Sequence, residues 1–380
     1  MTTFFNSRGV ALVSTVALVL GLAACASSEA GDTSDTSGGS SEMMTRAQQA
    51  VDAAKEPLVP EAAPAALDTS MLSGKTIYIL QADASNSFVT TISDALVEAS
   101  GEVGVGTVVF DGQQNAANYN SLITQAISQN ADLIVLINVG LEVPSAIQAA
   151  KDAGIPLIVS GVSSASDWQI TDATAEVGVD TNSIGKLQSD LAYLMSEGTV
   201  HAIGYGAQEF PQDVAQLEGQ ASELEELCPE TCTHETKHVQ LTSYQGDTPQ
   251  NVRSDLLASP DTNWLMPAWD FLATYVNAGL GLSNRDDVLV SSWNGIPAAL
   301  ELVMEDELAA TVGVPLRQWG WQIADSAFRL MAGEEAENVA IPTRLLTKDI
   351  LETANGDFSE ATLYGNEEVF DGFLAAWGAQ

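Results

Sequence analysis

The chain has 380 residues, 46% of them hydrophobic and 17% charged, which is enough apolar material for roughly two domains and excludes a disordered or disulfide-only scaffold. Its 51 Asp and Glu outweigh 13 Lys and Arg, for a formal charge of -38. That balance argues against nucleic acid and against adhesion to anionic lipid, because both need cations to meet phosphates.

Arg8 is the lone charge ahead of an apolar run from Val10 to Leu22. The run is interrupted by Ser14, Thr15 and Gly21 and is too short to span a bilayer, so residues 1–24 read as a signal peptide. It ends in Leu22-Ala23-Ala24-Cys25, which resembles the lipobox of bacterial lipoproteins. The resemblance implies that Cys25 receives a diacylglyceryl anchor and becomes the mature N-terminus; an ordinary secretory signal with a chance cysteine is the alternative. Residues 25–73, rich in Ser, Gly, Asp, Ala and Pro, are expected to form a flexible tether with a short helix from Glu42 to Lys55, ended by Pro57.

From Gly74 onward, strand-like and helix-like patterns alternate. Continuous apolar runs predict buried parallel strands at Thr76 to Gln81, Thr107 to Phe110, Leu133 to Asn138 and Leu157 to Ser160. A second series is expected at Val200 to Tyr205, His238 to Leu241, Trp264 to Ala268, Val288 to Trp293 and Ala310 to Val314. Helical spacings lie between them, as at Val89, Ile92, Leu96 and Ala99. The fold class expected is α/β, with two Rossmann-like, doubly wound parallel-sheet lobes. The apolar tail from Phe373 to Trp377 is expected to dock on a lobe.

His234-Glu235-Thr236-Lys237-His238 matches the H-E-x-x-H of zinc proteases, which needs a helix to bring both imidazoles to one metal. Pro229 before it and the strand-like Val239-Gln240-Leu241 after it argue against a helix, and residues four apart on a strand lie about 13 Å from each other. Cys228 and Cys232 are left as a close pair once Cys25 is assigned to lipid, so one disulfide is expected outside the cytoplasm. A zinc site using this pair with His234 and His238 is the alternative. Gly161-Val162-Ser163-Ser164-Ala165 resembles a nucleophile elbow, but a hydrolase needs a later acid and histidine, and His201 at a strand start reads as a packing residue. No enzyme or cofactor signature survives its context.

A ligand cleft remains. Asn86, Phe88, Trp168, Tyr244, Trp269, Trp293 and Asn294 cluster just after predicted strands, where open α/β sheets bind ligands. Flat aromatic faces suit the C–H faces of sugars, and Asn both donates to and accepts from hydroxyls.

With these residues in place, the stretch from about Lys75 to Glu334 resembles the type I, ribose-binding-like sugar-binding proteins of bacterial ABC importers. The resemblance rests on Asn86-Ser87-Phe88 after Thr76-Ile77-Tyr78-Ile79, on Asp111-Gly112-Gln113-Gln114-Asn115, Leu136-Ile137-Asn138 and Ala153-Gly154-Ile155-Pro156, and on Ser292-Trp293-Asn294-Gly295 and Ala309-Ala310-Thr311-Val312. It implies that Asn86, Phe88 and Tyr244 line the ligand and that Asn294 stands where the family has Asp. The family's Asp-Arg pair is Gly161-Val162 here, its Arg on the helix entering the second lobe is Gln216, and its Asn before Asp270 is Trp269. The implied pocket is less charged and more aromatic than a pentose site. Residues 74–174 with 314–342 are expected to form the first lobe, and 175–313 with 343–380 the second. The implied role is an extracytoplasmic, lipid-anchored protein that captures a small sugar or polyol and delivers it to an ABC permease. A sensor subunit that presents its ligand to a membrane receptor, and a secreted zinc hydrolase, are the alternatives.

Overall fold

The computed structural model describes residues 36–59, 63–168 and 172–379, so the expected signal peptide and Cys25 lie outside the described residues. The unit Ser37–Gln380 holds both sheets.

Helix α1 (Thr36–Lys55) and a 3-10 turn at Thr69–Leu72 come first. The alternation then runs β1 (Thr76–Gln81), α2 (Ser87–Glu102), β2 (Gly106–Asp111), α3 (Ala116–Ser128), β3 (Leu133–Ile137), α4 (Pro144–Asp152), β4 (Leu157–Ser164) and β5 (Ala175–Val179). Next come α5 (Thr181–Met195), β6 (His201–Gly206), α6 (Pro211–Leu227), β7 (Thr233–His238), α7 (Tyr244–Ala258), β8 (Trp264–Pro267) and α8 (Asp270–Gly281). β9 (Leu289–Asn294), α9 (Pro297–Met304), β10 (Ala310–Gly313), α10 (Leu316–Ala332), β11 (Val339–Ala340) and β12 (Arg344–Thr347) follow. Helices α11 (Lys348–Thr353), α12 (Glu360–Tyr364) and α13 (Glu367–Trp377) close the chain.

These strands build two six-stranded sheets, ordered β11-β5-β4-β3-β1-β2 and β12-β10-β9-β8-β6-β7. Pairing is parallel throughout except between β10 and β12. The expected pair of doubly wound lobes is therefore present. The core strands are apolar on both faces, as helix-covered parallel sheets require: every residue of β3 is buried. The chain passes between the sheets after β5, after β10 and between β11 and β12.

Glycines set how closely helices approach. A Cβ on Gly185 of α5 would stand 2.1 Å from the Gln216 carbonyl oxygen, and one on Gly219 of α6 would stand 2.2 Å from that of Asn182. These two helices therefore touch backbone to backbone.

Three expectations change. β5 joins the first sheet, beyond the expected lobe boundary at residue 174, and its sequence hid it because Glu176 and Gly178 break the apolar run. The strand expected at His238 to Leu241 instead spans Thr233–His238; it lies at a sheet edge, pairs with β6 and has four exposed and two half-buried residues, so it carries no apolar signature. The segment read as a flexible tether is docked from α1 onward. Met43, Ala47, Val51 and Ala54 form a stripe at helical spacing against the core, and Arg46 pairs with Glu223 and Glu226 of α6. Arg344 Nε donates to the Lys55 carbonyl (2.8 Å) and the Leu58 N–H to that of Tyr364 (2.8 Å). Further along, Arg329 Nη2 of α10 donates to the Ala65 carbonyl and the Leu67 N–H to that of Ala376, with Leu67 and Leu72 buried. The expected docking of the C-terminal tail is also seen: Trp377 stacks on Trp321 with ring centroids 5.4 Å apart, and its Nε1 donates to Asp325.

Candidate ligand-binding site

A cavity of about 590 Å³ lies between the carboxyl ends of strands from both sheets. Six of the seven residues singled out from sequence line it: Asn86, Phe88, Tyr244, Trp269, Trp293 and Asn294.

Asn86 caps α2, its Oδ1 accepting the Phe88 N–H at 3.0 Å, which leaves Nδ2 as the group available to a ligand. The cap fixes Phe88 on the first turn, 6% exposed, with Trp293 and Trp319 edge-to-face at 6.2 and 5.5 Å. Trp319 is itself held by donating from Nε1 to the Ser160 hydroxyl. From the second sheet, Tyr244 packs edge-to-face on Trp269 at 5.9 Å, and Trp269 on Phe210 at 6.4 Å, forming an aromatic wall.

Asn294 occupies a strained position. Its φ is 138°, rare for a residue with a side chain, and its Oδ1 accepts the Asp270 N–H at 3.4 Å. Asp270 organises the turn. Its carboxyl, fully buried, accepts from the Ser292 and Thr311 hydroxyls and from the N–H groups of Gly295 (2.7 Å) and Ile296 (3.0 Å). Burial pushes its pKa up, while the four donors act in the opposite sense. The turn that presents Trp293 and Asn294 is therefore fixed from beneath.

Two residues read from sequence lie elsewhere. Trp168 is absent from the cavity and packs beside Gly178 of β5, because β4 continues to Ser164, with a register shift between Ser160 and Ser164 that carries the following turn past the cleft. Gln216 is fully buried and donates to Gln188 Oε1 at 2.8 Å, so it faces α5 rather than a ligand. One turn earlier, Gln212 and Asp213 line the cavity in its stead.

Three polar atoms of the lining stand out by lacking partners, a property that the sequence does not show. Asn138 Oδ1, Ser163 Oγ and Trp293 Nε1 are buried and have no hydrogen-bond partner among the described residues, and all three residues line the cavity. Asn138 has φ 55° just after β3, and its Oδ1 occupies the space where a Cβ on Gly161 would stand, 2.2 Å away. Only glycine fits at 161. Buried polar atoms without partners carry a cost, and a polar ligand supplies what they lack. Among the described residues, no Lys, Arg or His lines the cavity.

The Cys and His cluster is structural. Cys228 and Cys232 form a disulfide, and β7 is extended, so His234 and His238 lie about 13 Å apart by strand rise. His234 Nε2 lies 3.0 Å from Gln220 Oε1, and burial pushes its pKa down to about 4. Among the described residues, no group of three or more His, Cys, Asp or Glu side chains is arranged to hold a metal ion. Ser163 lies on a strand, where the nucleophile elbow requires a sharp turn. A second cavity, about 770 Å³, opens beneath α1 beside Leu191, Asn277 and Leu308, at the amino ends of β9 and β10 and hence away from the ligand-binding end of the sheet.

Residues 77–335 match the model of the periplasmic binding protein domain. The chain is 24% identical over 283 residues to the ribose import binding protein RbsB of Escherichia coli, covering 72% of this chain and 90% of that one. It is also 24% identical over 286 residues to the D-apiose import binding protein of Paraburkholderia graminis, covering 72% and 87%. Among solved structures, it resembles an ABC transporter solute binding protein from Agrobacterium vitis with bound allitol, at TM-score 0.66 and 19% identity over 75% of this chain and 99% of that one. A Bacillus halodurans solute binding protein with bound myo-inositol gives TM-score 0.65 and 21% identity over 76% and 99%. With two parallel sheets, a cavity between them and the domain match spanning both, the chain belongs to the periplasmic binding protein family, has its two-lobed type I fold, and is a binding protein rather than an enzyme.

Proposed function

We propose that this protein is the extracytoplasmic solute-binding component of an ABC importer, anchored through lipid on Cys25, and that it captures a small neutral sugar or polyol and delivers it to a membrane permease. The observation that carries the reading is the cavity itself. Aromatic faces from Phe88, Tyr244, Trp269 and Trp293 surround the unpartnered Asn138 Oδ1, Ser163 Oγ and Trp293 Nε1, an apolar lining with convergent donors and acceptors that suits a polyhydroxylated ring. The absence of a cation from the lining disfavours sugar phosphates and sugar acids, which need one. Relatives named as ribose and D-apiose import proteins, and neighbours holding allitol and myo-inositol, support the same ligand class.

The Leu22-Ala23-Ala24-Cys25 motif supports the anchor. Cys25→Ser is expected to release the protein from the membrane fraction or leave it unprocessed; a mature-sized variant still extracted only by detergent contradicts the anchor. A thermal-shift screen of pentoses, hexoses and polyols tests the ligand class, since ligand at 100 times its Kd adds about 2.7 kcal/mol to stability.

A further inference from the structure

Asp213 is the group in the cavity that neither the family resemblance nor the aromatic pattern points to. It lies on the first turn of α6, lines the cavity and is 1% exposed. Among the described residues its hydrogen bond is from the Ala207 N–H to Oδ2, at 2.8 Å, which ties α6 to the end of β6. None of them donates to Oδ1. An ionised carboxylate here would have a single N–H donor and no cation: Glu209 from the same β6–α6 connection, and Asp83 and Glu142 from the facing sheet, are the other charged groups around the cavity. A buried charge with so little compensation is unfavourable, and the side chain relieves it by holding a proton.

We infer that Asp213 is a ligand-contacting residue, which presents a neutral carboxyl Oδ1–H to an oxygen of the bound molecule. Oδ2 keeps its bond to Ala207, so the fold fixes the carboxyl's orientation and the proton falls on Oδ1. Burial, reinforced by Glu209, pushes the pKa up to about 8, which keeps the donor form in place at neutral pH. The inference rests on reading the cavity as a sugar or polyol site and adds a specificity: the second lobe contributes a hydrogen-bond donor that is lost in mild alkali. An oxygen acceptor of the ligand is favoured there, and an anionic ligand is penalised once Asp213 ionises.

The test is isothermal titration of the full mature chain with D-ribose, D-arabinose, allitol and myo-inositol at pH 7 and pH 9, for wild type, Asp213→Asn and Asp213→Ala. For whichever probe binds, wild type is expected to weaken about tenfold from pH 7 to pH 9 as the donor ionises through about 8. Asp213→Asn keeps an acceptor for Ala207 and a weaker N–H donor for the ligand, so it should bind about threefold less tightly at pH 7 and lose the pH dependence. Asp213→Ala should bind about tenfold less tightly, with circular dichroism confirming its fold. A wild-type affinity equal at both pH values, or an alanine variant as tight as wild type, overturns the role of Asp213 alone. If no probe binds folded wild type, the sugar reading falls and this inference falls with it.

Discussion

Phe88 and Trp293 meet edge to face with their planes at 80°, and they come from different lobes. Phe88 follows the cap at Asn86 on the first lobe, whereas Trp293 is the penultimate residue of β9 in the second. The contact thus joins the two lobes at the cavity, and Trp319 supports Phe88 from behind. Phe88→Ala should destabilise the protein by about 3 kcal/mol or more, as truncation of a buried aromatic does, and should weaken ligand binding further by removing a stacking face. Urea denaturation and tryptophan emission check this: a red shift from Trp293 is expected, and an unchanged midpoint and spectrum would contradict the contact.

The turn at Asn294 makes a sharper distinction. At φ 138° an alanine is strained, and the Asp270 N–H loses its side-chain acceptor, so Asn294→Ala should cost about 1–3 kcal/mol. Asn294→Gly loses the same acceptor but accepts the backbone angle. The glycine variant should melt above the alanine variant; the reverse order would show that the backbone is not strained there.

The βα rhythm and the position of the cleft were legible because buried parallel strands are continuous apolar runs, and because ligands collect where those runs end. Asn86, Phe88, Trp269 and Trp293 were accessible for that reason. Asp213 and Asn138 were not, since their importance comes from groups distant in sequence: the cation-free wall around Asp213, and Gly161 beneath Asn138. β5 was obscured because Glu176 and Gly178 interrupt its apolar run, and β7 because none of its six residues is apolar. The docking of α1 is hidden in the sequence because its apolar stripe is short and packs on residues distant along the chain.

The pH dependence of stability follows from Asp213. Its folded pKa of about 8 lies above the ordinary aspartate value of 3.8, so between these limits the folded chain holds a proton that the unfolded chain has lost. This residue therefore makes stability fall as pH rises from about 4 to 8, and its contribution flattens above that. Asp213→Asn removes the slope. The variant should gain stability relative to wild type between pH 5 and pH 8 in denaturant titrations, and a constant difference would contradict a buried neutral acid.

Arg46 provides the parallel test at α1. It pairs with Glu223 and Glu226, and its charge also acts on nearby Asp190, whose pKa burial, with Glu223 beside it, pushes up to about 7. Arg46→Ala removes a cation that favours ionised acids, so its cost should grow as pH rises through 7 and the acids charge. Hydrogen exchange over residues 41–55 should accelerate more at pH 8 than at pH 6, relative to wild type after correction for intrinsic rates. Equal protection at both would show that the apolar stripe alone holds the helix.

The cavity between the sheets is expected to take one small neutral polyhydroxylated molecule. Isothermal titration of the mature chain against a panel of pentoses, hexoses and polyols, with matching sugar phosphates and sugar acids, measures it directly. The result expected is saturable 1:1 binding of at least one neutral member, abolished or strongly weakened by Phe88→Ala, with no binding of its anionic counterpart. Folded protein that binds none of the neutral members, or that prefers the anionic ones, would contradict the account.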